Sequence, residues 1–352
     1  MDVYRIFKPV IFISRVFCLA PFAIVEDSGS TRYKFSTFWL LYSILGVCAS
    51  FISQIGVIWI TISFSYETLY NAFSQVATAA IYMMSFVVQV FCLINGKNVL
   101  TILDNVSVLD SEHSGARIGY YRLYKMFIFH LIYCIISVLA PNIFRLAALD
   151  TNSVYISKIV YYSTAYILCH IVLLISDTQF IHFVFLLKYR FSVLNDTVII
   201  FTVQSLHKTS LNHTIIAPAV DRSVNSSTSA VSSSTTMLKS SLRKVFRHHD
   251  SLCDISEFVN RTYCFQILLS VAIACIQVLH TTFSLATEIS NSSALNFFPS
   301  RRILSMSALV SFFADSSKVL LLVVVCNLAS HEVSELHLWC PSVCFLNTWS
   351  TQ

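Results

Sequence analysis

Six runs of this 352-residue chain are apolar over the length that a helix needs to cross a lipid bilayer. A spanning helix takes about 20 mainly apolar residues, and the runs that meet this requirement are 37–62, 72–94, 126–149, 159–187, 264–288 and 303–328. Only 12% of all residues are charged, which is about half the share typical of soluble domains. The sequence therefore predicts an all-α polytopic membrane protein whose core (37–332) is a six-helix bundle.

Lys and Arg are distributed unequally among the segments that flank these runs. Segments 1–36, 95–125 and 188–263 hold eighteen of them, whereas the other three connections hold three. Cytoplasmic segments carry the excess of positive charge, so we expect a cytosolic N-terminus and short outer loops. Of six Asn-x-Ser/Thr sequons, only Asn291 lies in a loop predicted outside, and we expect it to be the glycosylation site.

The predicted cytosolic N-terminal segment contains "PVIFISRVFCLAPFAIV" (9–25), which is too short to span and carries Arg15 in its middle. We interpret it as a short amphipathic helix that lies at the membrane surface or packs on the bundle. A cleaved leader is the alternative, although a leader would keep its apolar centre uncharged.

The predicted cytosolic insert (188–263) has two parts. Residues 223–236 are mostly Ser and Thr, which predicts a disordered stretch. Apolar residues then recur on one helical face from Leu238 to Val259, and His249 lies on the same face. This face needs a partner, either the end of the fourth span or another subunit.

No motif of an enzyme is present. The sequence holds neither a Gly-x-x-x-x-Gly-Lys phosphate loop, nor a Gly-x-Ser-x-Gly nucleophile elbow, nor a His-Glu-x-x-His zinc helix. The eleven Cys include no Cys-x-x-Cys pair, and Cys inside an apolar run packs as a small hydrophobe. Adjacent His248 and His249 diverge on a helix, which favours a solvated face over a metal site. We expect no catalytic residues, no metal and no cofactor.

The predicted orientation places aromatic and a few polar residues in the outer halves of the spans. This mixture suits a small-molecule pocket, and an interfacial aromatic belt is the alternative for any single Tyr. Asn142, Tyr166 and Gln277 belong to this layer. The candidate pocket residues are Tyr82, Arg145, Tyr161, Tyr162, His280, Phe312, Phe313 and Asp315.

Two opposite charges lie near the middle of the last run, "FFADSSKVLLLVVVC" (312–326). A charge at this depth costs about 2.5–3.5 kcal/mol. Because Asp315 and Lys318 are three residues apart on one helix, their side chains can meet. We predict an intramembrane ion pair between them, which either fixes the helix in the bundle or lines a pocket or gate.

Three stretches in order resemble the insect gustatory receptor family. "ISRVFCLAPFAIV" is similar to the family's N-terminal signature, with Cys18 where Gly is usual. "HHDSLCDISEFVNRTYCFQILLSVAIACIQVLHTTF" resembles the approach to the fifth span, including Asn260 and Gln266. "DSSKVLLLVVVCNLASHE" resembles the sixth span and the start of the loop beyond. The resemblance covers essentially 1–332.

The resemblance implies a seven-helix subunit that assembles as a homo- or hetero-tetramer with other gustatory receptor subunits. It implies a ligand-gated cation channel with a pocket in each subunit's outer half, which detects a small soluble tastant, bitter or plant-derived. The implied location is the plasma membrane of sensory neurons, in contact with membrane lipids, and no nucleic acid is expected as a partner.

The tail at 333–352 departs from the family's pattern. The family's seventh helix lines the pore and carries a Thr-Tyr-…-Gln-Phe signature, whereas "VSELHLWCPSVCFLNTWSTQ" is neither long nor apolar enough to span. The resemblance therefore implies a chain truncated before the seventh helix, which would not conduct on its own.

Two other classes of membrane protein fit the sequence less well. A G-protein-coupled chemosensory receptor would place its N-terminus outside, against the charge distribution, and no Asp-Arg-Tyr follows the third span. A membrane transporter would show a repeated pair of spans broken by Gly or Pro, which these runs do not show. The receptor channel is the leading interpretation.

Overall fold

The computed structural model describes residues 3–27, 30–62, 69–111, 120–147, 156–214, 227–290, 306–328 and 330–331. The chain begins with helix α1 (Val3–Val16) and two strands, β1 (Phe22–Asp27) and β2 (Ser30–Phe35). Long helices follow: α2 (Thr37–Ile62), α3 (Leu69–Ser111), α4 (Tyr120–Ala147), α5 (Ile156–Thr214), α6 (Ser227–Ser290) and α7 (Met306–Leu328).

Six of these helices are long and apolar enough to cross a membrane. The qualifying segments are Thr37–Trp59, Gln75–Ser111, Tyr120–Ile143, Thr164–Ile200, Arg243–Thr287 and Met306–Leu328. The predicted helical fold with six spans is thereby confirmed. Several helices extend well beyond the predicted spans, because polar residues continue a helix once its apolar part has formed.

The N-terminal segment differs from the single short helix expected at 9–25. Helix α1 begins earlier, at Val3, because apolar residues recur at positions 3, 6, 7, 10 and 11 and form one buried face, which Ser14 continues. It ends at Val16, and an antiparallel hairpin follows in which Phe22 pairs with Phe35 and Asp27 with Ser30. The buried face shows that α1 packs on the bundle.

Cys18 closes α1 in a conformation usual for glycine. Its φ is 63°, the amide of Cys18 donates to the carbonyl of Arg15 over 3.1 Å, and the amide of Leu19 donates to the carbonyl of Ser14 over 2.7 Å. This pair of hydrogen bonds around a left-handed residue is the Schellman motif, in which Gly normally occupies the position of Cys18.

The chain forms two compact units, and the first comprises the described residues of 1–183 and 259–324. Its centre is α5, since 78% of the residues in the most apolar part of this helix are buried. Phe7 of α1 stacks on Phe183 of α5 at 4.6 Å and meets Phe127 of α4 edge-on at 5.5 Å. A buried hydrogen bond of 2.7 Å from Gln179 Nε2 to Ser14 Oγ also joins α5 to α1.

The second unit comprises the described residues of 184–258 and 325–352. The ring of His249 on α6 meets that of Phe191 on α5 at 6.2 Å, and Val245 and Leu252 are buried on the same face of α6. The apolar face of α6 thus has a partner within the chain. His248 and His249 are 5% and 7% exposed, so the expectation of a solvated face is wrong.

The expected disorder at 223–236 is wrong for residues 227–236, since α6 begins at Ser227. Each Ser or Thr lowers helix stability by less than about 0.7 kcal/mol relative to Ala, and extending an existing helix needs no new nucleus. The tail at 333–352 and Asn291 lie outside the described residues.

Candidate functional site

A cleft of about 730 Å³, including its open mouth, lies between α4, α5 and α7 in the first unit. Helix α4 lines it from His130 to Asn142, α5 from Tyr166 to Ile181, and α7 from Ser311 to Leu321. Helical side chains three and four residues apart share a face, so each helix contributes one stripe. Apolar side chains such as Val138, Leu174 and Leu321 alternate with polar ones along these stripes.

An ion pair between two helices lies in the wall of the cleft. Nζ of Lys318 on α7 is 2.7 Å from Oδ2 of Asp177 on α5, whose side chain is only 3% exposed. Ser270 Oγ of α6 donates to the same Asp177 oxygen over 2.7 Å. Three helices therefore meet at one carboxylate. Removing a charge from water is costly unless it is paired and hydrogen-bonded, which explains why Asp177 brings α6 and α7 together.

The second carboxylate oxygen of Asp177 has a different environment. Oδ1 is buried, and no hydrogen-bond donor among the described residues reaches it. A buried acceptor without a donor costs about 1–3 kcal/mol. Asp177 also lines the cleft, although its Oδ1 atom is itself buried.

An aromatic and amide cluster forms the Tyr166 end of the cleft. The rings of Tyr166 and His170 are 4.2 Å apart, and Gln277 Nε2 of α6 lies 3.2 Å from the ring nitrogens of His170. Asn142 of α4 lines the same cleft and donates to the carbonyl of Val138 over 2.7 Å. Polar groups at this end are thus held in place by neighbours on two helices.

A buried histidine pair forms the other end of the cleft on α4 and α5. His130 Nδ1 lies 3.2 Å from His182 Nε2, and the His182 ring stacks on Phe127 with 3.7 Å between centroids. Cys134 Sγ contacts His130 Nε2 at 3.4 Å, and Thr178 Oγ1 donates to Cys134 Sγ over 3.7 Å. These contacts fix α4 against α5.

Helix α7 is also attached to α4. Ser307 Oγ donates to the carbonyl of Pro141 over 2.9 Å, and the hydroxyls of Ser317 and Tyr133 hydrogen-bond to each other. Tyr133 and Pro141 both line the cleft. The width of the cleft therefore depends on where α7 sits against α4.

The predicted pocket residues fall in different places. Asp315 lines the cleft, as do Asn142 and Tyr166 from the layer that the sequence predicts to be outer. Tyr82 is 0% exposed in the apolar core of the first unit. The remaining described candidates on α6 and α7 lie outside the cleft lining: His280, Phe312 and Phe313, the last 62% exposed. The side chains of Arg145 on α4 and of Tyr161 and Tyr162 on α5 lie outside the described residues.

The sequence interpretation missed Asp177 and His170. Asp177 sits within "LLISDTQF" in the fourth apolar run, so the argument that singled out Asp315, a charge inside a span, applies to it equally. The structure gives Lys318 a partner on another helix, Asp177, in addition to the partner predicted at Asp315. Asp315 lies on the same cleft one helical turn away.

The arrangement suits binding of a small molecule. The cleft combines apolar area with several fixed polar groups, which is the composition of ligand pockets. Among the described residues no group of three His, Cys, Asp or Glu side chains is placed to hold a metal ion. The site can therefore recognise a ligand by shape, hydrogen bonds and charge.

Comparisons with known proteins agree with this fold. The insect olfactory receptor OR5 from Machilis hrabei, solved in complex with eugenol, superposes with a TM-score of 0.61 at 14% identity, covering 92% of this chain and 79% of that chain. At this identity the likeness concerns the fold. No curated protein sequence matches the chain.

The family model described as 7tm Chemosensory receptor matches residues 7–339, which confirms the resemblance noted in the sequence. The chain is thus a multi-pass membrane protein of a receptor family, and it is not an enzyme. It belongs to the 7tm chemosensory receptor family.

Proposed function

We propose that this chain is a gustatory receptor subunit of the plasma membrane of sensory neurons. In this role it binds small, water-soluble chemicals, bitter or plant-derived, in the cleft between α4, α5 and α7. By resemblance, it acts as a subunit of a ligand-gated cation channel and assembles as a homo- or hetero-tetramer with other gustatory receptor subunits.

The polar lining of the cleft is the observation that carries the proposal. Asp177, Lys318 and Asp315 place charge within the apolar helices, and His170 and Asn142 add hydrogen-bonding groups. A site with buried polar groups rejects ligands that cannot satisfy them. The lining therefore favours ligands that dissolve in water over purely apolar volatiles, and so it favours taste over odour.

The position of the cleft also suits signal transmission. One wall belongs to α7, which is attached to α4 through Ser307 and to α5 through Lys318. A ligand shifts an equilibrium only through differential affinity for two states. A ligand that spans α4 and α7 makes contacts that depend on their separation, and it can therefore favour one position of α7.

Ligand binding to the purified full chain tests this proposal. Thermal unfolding in detergent is followed with a panel of plant alkaloids, sugars and eugenol. We expect a water-soluble alkaloid or sugar to raise the melting temperature more than eugenol does, because only the former satisfies the polar groups. With Tyr166→Ala, we expect that about tenfold more ligand is needed for the same rise in melting temperature. Tyr121→Ala, at an exposed position of α4 outside the cleft, is expected to leave the required ligand concentration unchanged.

Two results would contradict the proposal. One is stabilisation by eugenol alone, which favours an odorant receptor. The other is equal ligand affinity of the Tyr166 and Tyr121 variants, which places the binding site elsewhere. Calcium imaging of cells that express the chain together with other gustatory subunits then tests the channel role, and native mass spectrometry of the complexes tests the tetramer.

A further inference from the structure

We propose that the guanidinium group of Arg15 binds the phosphate of an anionic phospholipid at the point where α1 meets the beginning of α2. This site belongs to the first unit, and none of its residues lines the cleft between α4, α5 and α7. The inference therefore goes beyond the proposed receptor function and does not rest on it. Three features carry it: a cation without an acidic partner, its place at the end of a membrane span, and the apolar surface around it.

Arg15, near the end of α1, is held by an aromatic ring and not by a carboxylate. The Cζ atom of its guanidinium group lies 3.9 Å from the centre of the Trp39 ring on α2. No carboxylate among the described residues forms an ion pair with Arg15, and its buried Nε atom has no hydrogen-bond acceptor there. A guanidinium group carries five N–H donors in a rigid fork that matches the oxygens of a phosphate. The contact with Trp39 fixes this fork without supplying it with oxygen acceptors.

The aromatic rings at this point mark the end of a membrane span. Trp39 lies in the first turn of α2, and the segment Thr37–Trp59 is long and apolar enough to cross a membrane. The Trp39 ring meets that of Phe38 edge-on at 5.6 Å and that of Tyr42 edge-on at 5.5 Å. Trp and Tyr concentrate where the lipid headgroups begin. Arg15, which contacts Trp39, then lies at the depth of the phosphate groups.

The surface beside Arg15 is apolar and exposed. Phe12 and Val16 are exposed on α1, and Phe38 is exposed on α2. The two helices touch here, since the Tyr42 hydroxyl donates to the carbonyl of Val16 over 3.2 Å. An apolar surface next to a cation fits a molecule that combines an anionic head with hydrocarbon chains. A free phosphate ion would use only the cation, so the apolar surface favours a phospholipid.

The hairpin adds positive charge next to this end of α2. Lys34 is exposed on β2, close before the beginning of α2. The two acidic residues of the hairpin, Glu26 and Asp27, stand at its other end, where they pair with Thr31 and Ser30. Positive charge at a membrane surface attracts anionic lipids. Charge complementarity therefore favours an anionic headgroup over a zwitterionic one.

Short-chain lipids with different headgroups test this proposal. The purified full chain in an uncharged detergent is titrated with dioctanoylphosphatidylglycerol, which is anionic, or with dioctanoylphosphatidylcholine, which is zwitterionic. Native mass spectrometry measures the fraction of protein with a lipid bound. We expect the phosphatidylglycerol to bind about fivefold more tightly, which is the effect of about one Arg at a membrane surface. Inorganic phosphate should compete weakly, because it has no hydrocarbon chains.

Variants assign the preference to the guanidinium group. Arg15→Gln should remove most of the fivefold preference and leave the affinity for phosphatidylcholine nearly unchanged. The matched control is Arg122→Gln, since Arg122 is an exposed cation near the beginning of another span, on α4, and this variant should keep the preference. If Arg15→Gln does not fold, Arg15→Lys takes its place. Lys keeps the charge but lacks the planar fork, so this variant should bind phosphatidylglycerol more weakly than the wild type does.

Four outcomes would overturn the inference. They are equal affinities of the wild type for the two lipids, an equal loss of preference in the Arg15→Gln and Arg122→Gln variants, an unchanged affinity for phosphatidylglycerol in Arg15→Lys, and competition by inorganic phosphate as strong as that by the lipid. The last outcome would identify a site for a free anion. Binding of the alkaloids and sugars in the cleft bears on the proposed function alone, so the two proposals stand or fall separately.

Discussion

The Sγ atom of Cys18 occupies the place where a side chain at residue 46 would begin. A Cβ added to Gly46 on α2 would lie 2.1 Å from Cys18 Sγ and 2.9 Å from Cys18 Cβ. Cys18 itself adopts a φ of 63°, a conformation that costs a residue with a side chain about 1–2 kcal/mol. The absence of a side chain at Gly46 thus allows a non-glycine residue to close α1.

We predict that Cys18→Gly raises the free energy of unfolding by about 1 kcal/mol, because the strain of positive φ is larger than the packing lost with one thiol. Gly46→Ala should destabilise the chain clearly, since its new methyl group overlaps Cys18. In the double variant the overlap is gone, so Gly46→Ala should cost much less. Thermal unfolding of the four proteins measures this coupling. Strictly additive effects would show that the two residues do not compete for the space.

The second prediction concerns the partner of Lys318. Asp177→Asn leaves a buried ammonium without its 2.7 Å partner and should reduce surface expression strongly, since breaking a buried pair costs about 3–5 kcal/mol. Adding Lys318→Met to this variant should restore much of the expression. The measurement is cell-surface labelling of tagged chains.

The matched control is the same cycle with Asp315→Asn, which tests the pair predicted from the sequence. We expect a coupling energy between Asp315 and Lys318 that is smaller than that between Asp177 and Lys318, because Asp177 is also bonded to Ser270 on a third helix. A larger coupling for Asp315 would make the intrahelical pair the dominant one.

The third prediction is a pH dependence at α1. Burial first, and then a hydrogen bond to Asp104 on α3, raise the pKa of Tyr4 to about 12. An unfolded Tyr titrates at about 10, so the folded state holds this proton over the interval between the two values. The stabilisation is fully present below pH 10 and is lost as pH rises from 10 to 12.

Tyr4→Phe should therefore flatten the fall of melting temperature between pH 10 and pH 12. Tyr121→Phe, at an exposed position of α4, provides the control for general alkaline effects. A wild-type slope that persists in the Tyr4 variant would assign the alkaline instability to other groups.

The fourth prediction tests the orientation in the membrane. If the N-terminus is cytosolic, Asn291 is the one sequon of six on a predicted outer loop, and only lumenal sequons are glycosylated. We expect a single glycan, seen as a shift on gels after glycosidase treatment, that Asn291→Gln abolishes. A glycan at Asn105 or Asn225 would show that the orientation is reversed.

The six spans and the family could be predicted from the sequence because both depend on local information. A run of about 20 apolar residues predicts a membrane span wherever it occurs in the chain. The motif around Cys18 is likewise a short contiguous pattern. The same locality explains two errors. The two strands between Phe22 and Phe35 lie in a stretch that mixes apolar and charged residues. Residues 227–236, although rich in Ser and Thr, are helical because they form the first part of α6.

The pairing of Lys318 and the cleft itself were decided only by tertiary structure. Asp177 is 141 residues from Lys318, and no periodicity relates a residue on α5 to one on α7. The sequence showed that a charge at this depth needs a partner, and the nearest candidate along the chain was Asp315. Which carboxylate lies 2.7 Å from the ammonium group depends on the rotation of α5 and α7 about their axes. That rotation is set by the packing of all their neighbours at once. For this reason the sequence alone could predict that these charges lie within membrane spans, but it could not predict which of them pair.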